Sequence, residues 1–299
     1  MPNNARAWLS LAVMTAAALS GCGGLTATID ASNAAPPVSA AAVPAPDAAW
    51  YPSPNFNARP AGMAIDTILL HHTASAGNAE STARYFANPA AQVSSHYIVD
   101  RDGSIIRCVQ DVDRAWHAGV SEFDGRPNVN NYSIGIEICN VGDNIEPYPN
   151  AQVYATMRLS AYLVEEYGIP LSHITRHRDV ALPPGRKTDT SNNFPLAYYL
   201  AGVQDLVEGM PVPARIQPLA PPGYDPSVRL YTVKPGDTWQ IIADGQLDNA
   251  ARAGDLELAN PGVTLTPGTT IHLPTNYEGF FQLHPMSAST VLGLFWPAA

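Results

Sequence analysis

The stretch Thr67-Ile68-Leu69-Leu70-His71-His72-Thr73, "TILLHHT", is an apolar run that ends in two adjacent histidines. An uninterrupted run of this length suits a strand buried on both faces, in the centre of a sheet. Successive side chains on a strand point to opposite faces, so one site can use only one of the two imidazoles. Three more runs read as strands: "SSHYIVD" (94–100), "SIIRCVQ" (104–110) and "SIGIEICN" (133–140). "RDG" (101–103) between the first two is a hairpin turn, since Asp and Gly tolerate the required backbone angles. Helical patterns separate the strands. "AESTARYFAN" (79–88) stops before Pro89. "AQVYATMRLSAYLVEEY" (151–167) carries Val153, Met157, Ala161 and Val164 on one stripe, with Asn150 as its expected N-cap and Gly168 and Pro170 past its end. The predicted class is therefore α/β (α+β), a mixed central β-sheet flanked by helices.

Working outward, the 299 residues allow this domain and a smaller one. The net charge of −10, with only 16 Lys and Arg, excludes a nucleic-acid partner that needs clustered cations. Residues 1–21 read as a lipoprotein signal peptide: Arg6 precedes a short apolar segment that ends in Leu19-Ser20-Gly21-Cys22. That ending resembles the bacterial lipobox, which implies cleavage before Cys22, lipidation of Cys22 and an acyl anchor rather than a spanning helix. Gly23 follows Cys22 where an inner-membrane retention signal would carry Asp. The expected location is thus the cell envelope, on the periplasmic face of the outer membrane in a diderm organism. Residues 22–49 are an Ala/Pro-rich tether, 50–212 the first domain, 213–228 a Pro-rich linker, 229–275 a small domain and 276–299 a tail. Cys108 and Cys139 are the remaining cysteines, and an oxidising compartment permits a bond between them if distance allows.

Six of the eight histidines (71, 72, 96, 117, 173 and 177) fall between residues 71 and 177, a concentration that suits a metal or acid–base site. No HExxH motif is present, so any metal site is assembled from distant segments. "HRDVALPPGRKTD" (177–189) places an imidazole, a lysine and a carboxylate on one loop. It is not a kinase catalytic loop, because Pro184 stands where that loop needs Asn.

"ILLHHTA", "SSHYIVDRDG", "WHAG", "SIGIEICN" and "HRDVALPPGRKTD", in this order, resemble the zinc-dependent N-acetylmuramoyl-L-alanine amidases of type 2, relatives of the peptidoglycan recognition proteins. The resemblance implies one Zn²⁺ held by His71, His177 and Asp189, with Glu137 as catalytic acid/base and Lys187 as the cation near the scissile carbonyl. Two imidazoles and a carboxylate leave a fourth position open, as in catalytic zinc sites. The implied reaction is hydrolysis of the amide between N-acetylmuramic acid and the L-alanine of the stem peptide. Peptidoglycan, as glycan strands and muropeptides, is the implied partner. His96, Trp116 and His117 are expected in the substrate groove, His72 in packing, and His173 in solvent or a structural hydrogen bond. One departure is visible: Leu182-Pro183 is inserted before Pro184, so Lys187 lies ten residues after His177, two more than usual.

"LYTVKPGDTWQIIADGQLDNAARAGDLELANPGVTLTPGTTIHLP" (230–274) resembles a LysM module, which implies a small βααβ fold that binds GlcNAc-containing glycan. From Leu230 to Thr275, two cations (Lys234, Arg252) face five carboxylates (Asp237, Asp244, Asp248, Asp255, Glu257). The surplus suits hydrogen bonding to neutral sugars rather than an electrostatic grip. A monomer is expected. Two alternatives share these features: a peptidoglycan-binding receptor without catalysis, and a lipoprotein that anchors the envelope to the wall through the small domain alone.

Overall fold

The computed structural model describes residues 42–286. The strands, in chain order, are β1 (Ala49–Trp50), β2 (Phe56–Ala58), β3 (Thr67–His72), β4 (Tyr97–Val99), β5 (Ile105–Arg107), β6 (Asp113–Ala115), β7 (Glu122–Phe123), β8 (Arg126–Pro127), β9 (Ser133–Ile138), β10 (Ile174–Arg176), β11 (Arg229–Thr232) and β12 (Thr270–Leu273). The helices are α1 (Ala79–Phe86), α2 (Asn150–Tyr167), α3 (His177–Val180), α4 (Leu196–Val207), α5 (Trp239–Gln246), α6 (Ala253–Ala259) and α7 (Glu278–Leu283).

A six-stranded sheet in the order β1-β5-β4-β9-β3-β10 carries the first domain. β4, β9, β3 and β10 run parallel, whereas β5 pairs antiparallel with β4 through the hairpin at 101–103. Gly103 turns that hairpin with a φ of 90°, which glycine adopts without strain. Every residue of β3 and β9 is buried, as the apolar runs require of central strands. The class is the one expected: a mixed sheet flanked by helices.

The alternation of β3 and β9 splits their residues between two cores. Ile68, Leu70, Ile134 and Ile136 join Val153, Met157 and Val164 of α2 and Val203 of α4 in the larger core. Leu69 faces the other way and packs with Ala118, Val129, Tyr132 and Val180. α2 ends at Gly168, left-handed at φ 65°, with its N–H on Val164 O. Its start differs from the expected one: Pro149 is the N-cap and Asn150 is already helical. The Asn150 side chain is used instead to donate to Arg215 O at 2.8 Å, in the linker.

Residues 42–49, assigned to the tether, lie on the sheet. Val43 N–H donates to Glu165 Oε2, Val43 and Ala48 pack on the larger core, and Ala49 begins β1 beside β5. Cys108 and Cys139 are both buried free thiols, so the permitted disulfide is not formed. Cys22 and residues 287–299 of the tail lie outside the described residues. No helix among the described residues is long and apolar enough to cross a membrane.

Residues 229–273 fold as strand, two helices and strand, with β11 and β12 antiparallel over a core of Val233, Ile242, Ala243, Leu256, Ile271 and Leu273. This module docks on α1. Tyr277 stacks on Tyr85 with centroids 4.3 Å apart, and Phe280 of α7 fills the same apolar cluster. Asn249 Nδ2 donates to Tyr85 OH and Ala91 O, and Arg229 Nη1 to Ala74 O. The first part of the tail, residues 276–283, is therefore the apolar anchor between the two domains.

Candidate active site

Parallel strands bring their C-terminal ends to one side of a sheet, where crevices form. His71 is near the end of β3, Glu137 near the end of β9, and His177 directly follows β10. Register makes the first two lateral neighbours: His71 pairs with Glu137, on the face of Leu69 and away from the larger core. The loop after α3 then returns so that Arg178 N–H donates to Asp189 O at 2.8 Å, which sets the third side chain. The inserted Leu182-Pro183 does not disturb this return. It bulges outward, tied by Leu182 N–H to Val120 O and by Arg186 Nε to Leu182 O.

His71 Nδ1, His177 Nδ1 and Asp189 Oδ2 converge. His71 Nδ1 lies 3.1 Å from His177 Nδ1 and 2.8 Å from Asp189 Oδ2, and His177 Nδ1 lies 3.0 Å from Asp189 Oδ2. The surrounding hydrogen bonds set both tautomers. His177 Nε2 faces Ala118 O at 3.0 Å, and a carbonyl only accepts, so the proton is on Nε2 and Nδ1 is bare. Ser133 Oγ donates to Val129 O, so it accepts from His117 Nε2–H; His117 Nδ1 then accepts from His71 Nε2–H at 3.1 Å. His71 Nδ1 is bare as well. Burial lowers the His177 pKa to about 4 and holds His117 well below the usual range, which keeps both rings neutral. Burial pushes the Asp189 carboxyl up, but His177 and His71 outweigh it and hold the group well below the ordinary carboxylate range.

With one proton on each ring, two nitrogen lone pairs and a carboxylate meet at one point, an arrangement that fits a cation. Ligands on a tetrahedral ion with bonds near 2.0–2.1 Å lie about 3.3 Å apart, close to the spacings here. Asp189 Oδ1 is also buried with no hydrogen-bond partner among the described residues. These three residues form a group able to hold a metal ion.

Beside them, Glu137 is 7% exposed, and its Oε2 also has no partner among the described residues. Burial pushes its pKa up to about 8, with the Asp189 charge adding to the rise and Lys187 opposing it. A carboxyl poised there can take and return a proton near neutral pH.

The other expected residues divide. His117 is mostly buried, holds His71, and also lines the cleft beside Trp116. Its backbone N–H is held in turn by Asn130 Oδ1. Gly135 makes room for this ring: a Cβ there would sit 2.7 Å from His117 Cγ. Trp116 does line a cleft of about 200 Å³ with Gln92, Asn130, Arg186 and Lys187. His96 does not. It is fully buried, its Nδ1 accepts from Gly135 N–H, and its Nε2 lies against Asp113 O and Arg59, so packing has claimed the ring expected to meet substrate. His72 points to the opposite face from His71; its Nδ1 accepts from Ser191 N–H, and burial lowers its pKa to about 4. His173 makes the expected structural bond, to Asp66 O at 2.9 Å.

Lys187 is the least expected in its placement. It is 4% exposed, and its Nζ donates to Asp244 O at 2.7 Å and pairs with Asp244 Oδ1 at 3.1 Å, while Asp248 Oδ1 lies 3.5 Å away. Arg186 pairs with Asp244 Oδ2 at 3.1 Å. Asp244 and Asp248 belong to the C-terminal module, and reading the chain segment by segment did not single them out. The surplus of acid in that module was the available signal.

Residues 61–192 match the model of the N-acetylmuramoyl-L-alanine amidase family. The 1,6-anhydro-N-acetylmuramyl-L-alanine amidase AmpD of Haemophilus influenzae is 32% identical over 169 residues, which span 51% of this chain and 90% of that protein. The N-acetylmuramoyl-L-alanine amidase AmiD of Escherichia coli is 31% identical over 145 residues, 44% of this chain and 50% of AmiD. A crystal structure of a selenomethionine AmpD derivative aligns with a TM-score of 0.46 and 28% identity, covering 55% of this chain and 98% of the other. With 32% identity over an aligned region that covers 90% of a curated amidase, the chain belongs to the N-acetylmuramoyl-L-alanine amidase family.

Proposed function

We propose that the protein is a zinc-dependent peptidoglycan amidase that hydrolyses the bond between the lactyl carbonyl of N-acetylmuramic acid and the nitrogen of L-alanine. The observation that carries this reading is the meeting of His71 Nδ1, His177 Nδ1 and Asp189 Oδ2 beside a Glu137 Oε2 that has no partner among the described residues. Zinc held by those three atoms would acidify a water and polarise the amide carbonyl. Glu137 Oε2 would accept one proton from the attacking water as its oxygen adds to the carbonyl carbon, and return it to the departing nitrogen as the C–N bond breaks. The proton left on the new carboxyl then passes to the amine, giving a carboxylate and an α-ammonium group. His117 and Ala118 O keep the two imidazoles in the tautomers that leave Nδ1 free, and Lys187, once released from Asp244, would steady the oxygen that gains charge.

The module at 229–273 serves as a weak glycan-binding domain that raises the local concentration of substrate. The order strand, helix, helix, strand supports this reading, as does a resemblance to LysM that runs from "YTVKPGDT" to "TPGTTIHLP". Lipidation of Cys22 holds the protein to the envelope, on the periplasmic face of the outer membrane in a diderm cell. The support there is the sequence Leu19-Ser20-Gly21-Cys22 after an apolar segment. Mass spectrometry of a muramoyl-tripeptide incubated with the full chain tests the reaction. Free tripeptide with an L-Ala amino terminus is the expected product; intact substrate, or cleavage at any other bond, refutes it.

A further inference from the structure

The cavity that Glu137 lines with His71, His117 and His177 has a volume of about 20 Å³, room for a water molecule, and it shares His117, His177, Asp248 and Asn249 with the cleft of about 200 Å³ lined by Trp116, Arg186 and Lys187. Leu247, Asp248 and Asn249 of the C-terminal module form part of its lining. The same segment occupies the cations. Asp244 holds Arg186 and Lys187 through its carboxylate and Lys187 again through its carbonyl, and Asp248 approaches Lys187 and, at 4.0 Å, His72.

This contact differs from the rest of the interface. α7 and Tyr277 attach the module through buried rings, a contact that would not open without exposing apolar surface. Asp244 and Asp248 instead reach the amidase loop only through charged contacts, although Leu247 between them packs in the module's core and Asn249 after them bonds Tyr85 and Ala91. The Asp248 side chain is 17% exposed, and its Oδ1 makes no hydrogen bond and lies 3.5 Å from Lys187 Nζ, an ion pair that a closer anion can replace.

We propose that the segment carrying Asp244 and Asp248 is a plug over the amidase cleft, in which their carboxylates hold Arg186 and Lys187 in place of groups of the substrate. α7, Leu247 and Asn249 keep the module docked while the two carboxylates are drawn off, and a muropeptide displaces them by offering Arg186 a stem carboxylate and Lys187 the oxygen of its scissile carbonyl. The proposal rests on the amidase reading for the identity of the ligand.

The test uses the full chain and two readouts. Hydrogen–deuterium exchange of residues 244–250 is measured with and without a muramoyl-tripeptide in the Glu137→Gln protein, which binds without turnover. Cleavage is compared between wild type and the Asp244→Ala/Asp248→Ala protein, with thermal melting to show that both are folded. A plug predicts faster exchange at 244–250 when the tripeptide binds. It also predicts a gain of about fivefold to tenfold in kcat/KM for the double variant, the worth of about 1–1.4 kcal/mol. Slower or unchanged exchange on binding overturns the proposal, as does a double variant that cleaves no faster than wild type. Should neither protein cleave, the amidase reading fails, and the exchange of the metal-free double variant still decides whether these carboxylates hold the segment closed.

Discussion

The ends of β3 and β9 and the segment Asp244–Asn249 meet over one cavity, but different forces put them there. Ladder hydrogen bonds and two packed cores place His71 and Glu137 side by side, so a shift of one residue would send every side chain of the strand to the wrong face. Ion pairs and one carbonyl place Asp244 and Asp248 over the same atoms. The chemical groups are fixed by register, whereas the ion pairs of Asp244 and Asp248 beside them are contacts that water or another anion can replace. Rigid sheet ends suit a site that must hold its ligand atoms about 3 Å apart, whereas a charged cover suits a site that must open.

Four substitutions would break or sharpen this contrast. Asp189→Ala should have the largest effect: it removes the carboxylate both imidazoles share, and metal binding and activity should both fall to background. Retention of either would remove the site from the sheet ends. Glu137→Gln should keep the metal and lower kcat by about 10²–10⁴-fold, measured by metal content and turnover on one preparation. The same variant has a signature in stability. The Glu137 pKa is raised when folded, so its protonated form supports the metal-free fold fully below about pH 4.5, and that support is lost as pH rises through about 8. The melting temperature of the metal-free wild type should therefore fall relative to Glu137→Gln across that window; parallel curves would show that burial does not perturb the group. His117→Ala should weaken metal affinity by about 10–100-fold, as loss of an outer partner to a metal-binding histidine does; titration with zinc reads this directly. His72→Asn should do least. Its Oδ1 can still accept from Ser191 N–H, so zinc affinity should be unchanged and the stability loss should stay below about 3 kcal/mol, the upper cost of an unmet buried donor.

The His71–His72 pair shows how far the sequence carries. Alternation alone assigns the two rings to opposite faces, and the ordered motifs point to His71; β3 places them accordingly. Central strands, the hairpin at 101–103 and the Gly168 stop were legible because local backbone chemistry determines them. His96 and His117 were not separable, since both follow strand-like residues and only tertiary packing tells them apart: Arg59 closes on one, and the space left by Gly135 admits the other. The N-cap of α2 was misplaced because Asn150 finds a partner in a linker 65 residues away. Asp244 and Asp248 read as part of a general acidic surplus, because their partners, Arg186 and Lys187, lie on a different domain.

The central claim is that His71, His177 and Asp189 hold a zinc ion without which Glu137 has no water to deprotonate. Hydrolysis of a muramoyl-tripeptide by the full chain, followed before chelation, after it and after zinc is restored, tests this most directly. The rate should fall to background with the chelator and return with zinc. An unchanged rate in the chelated protein, with metal content confirmed at zero, would contradict the account.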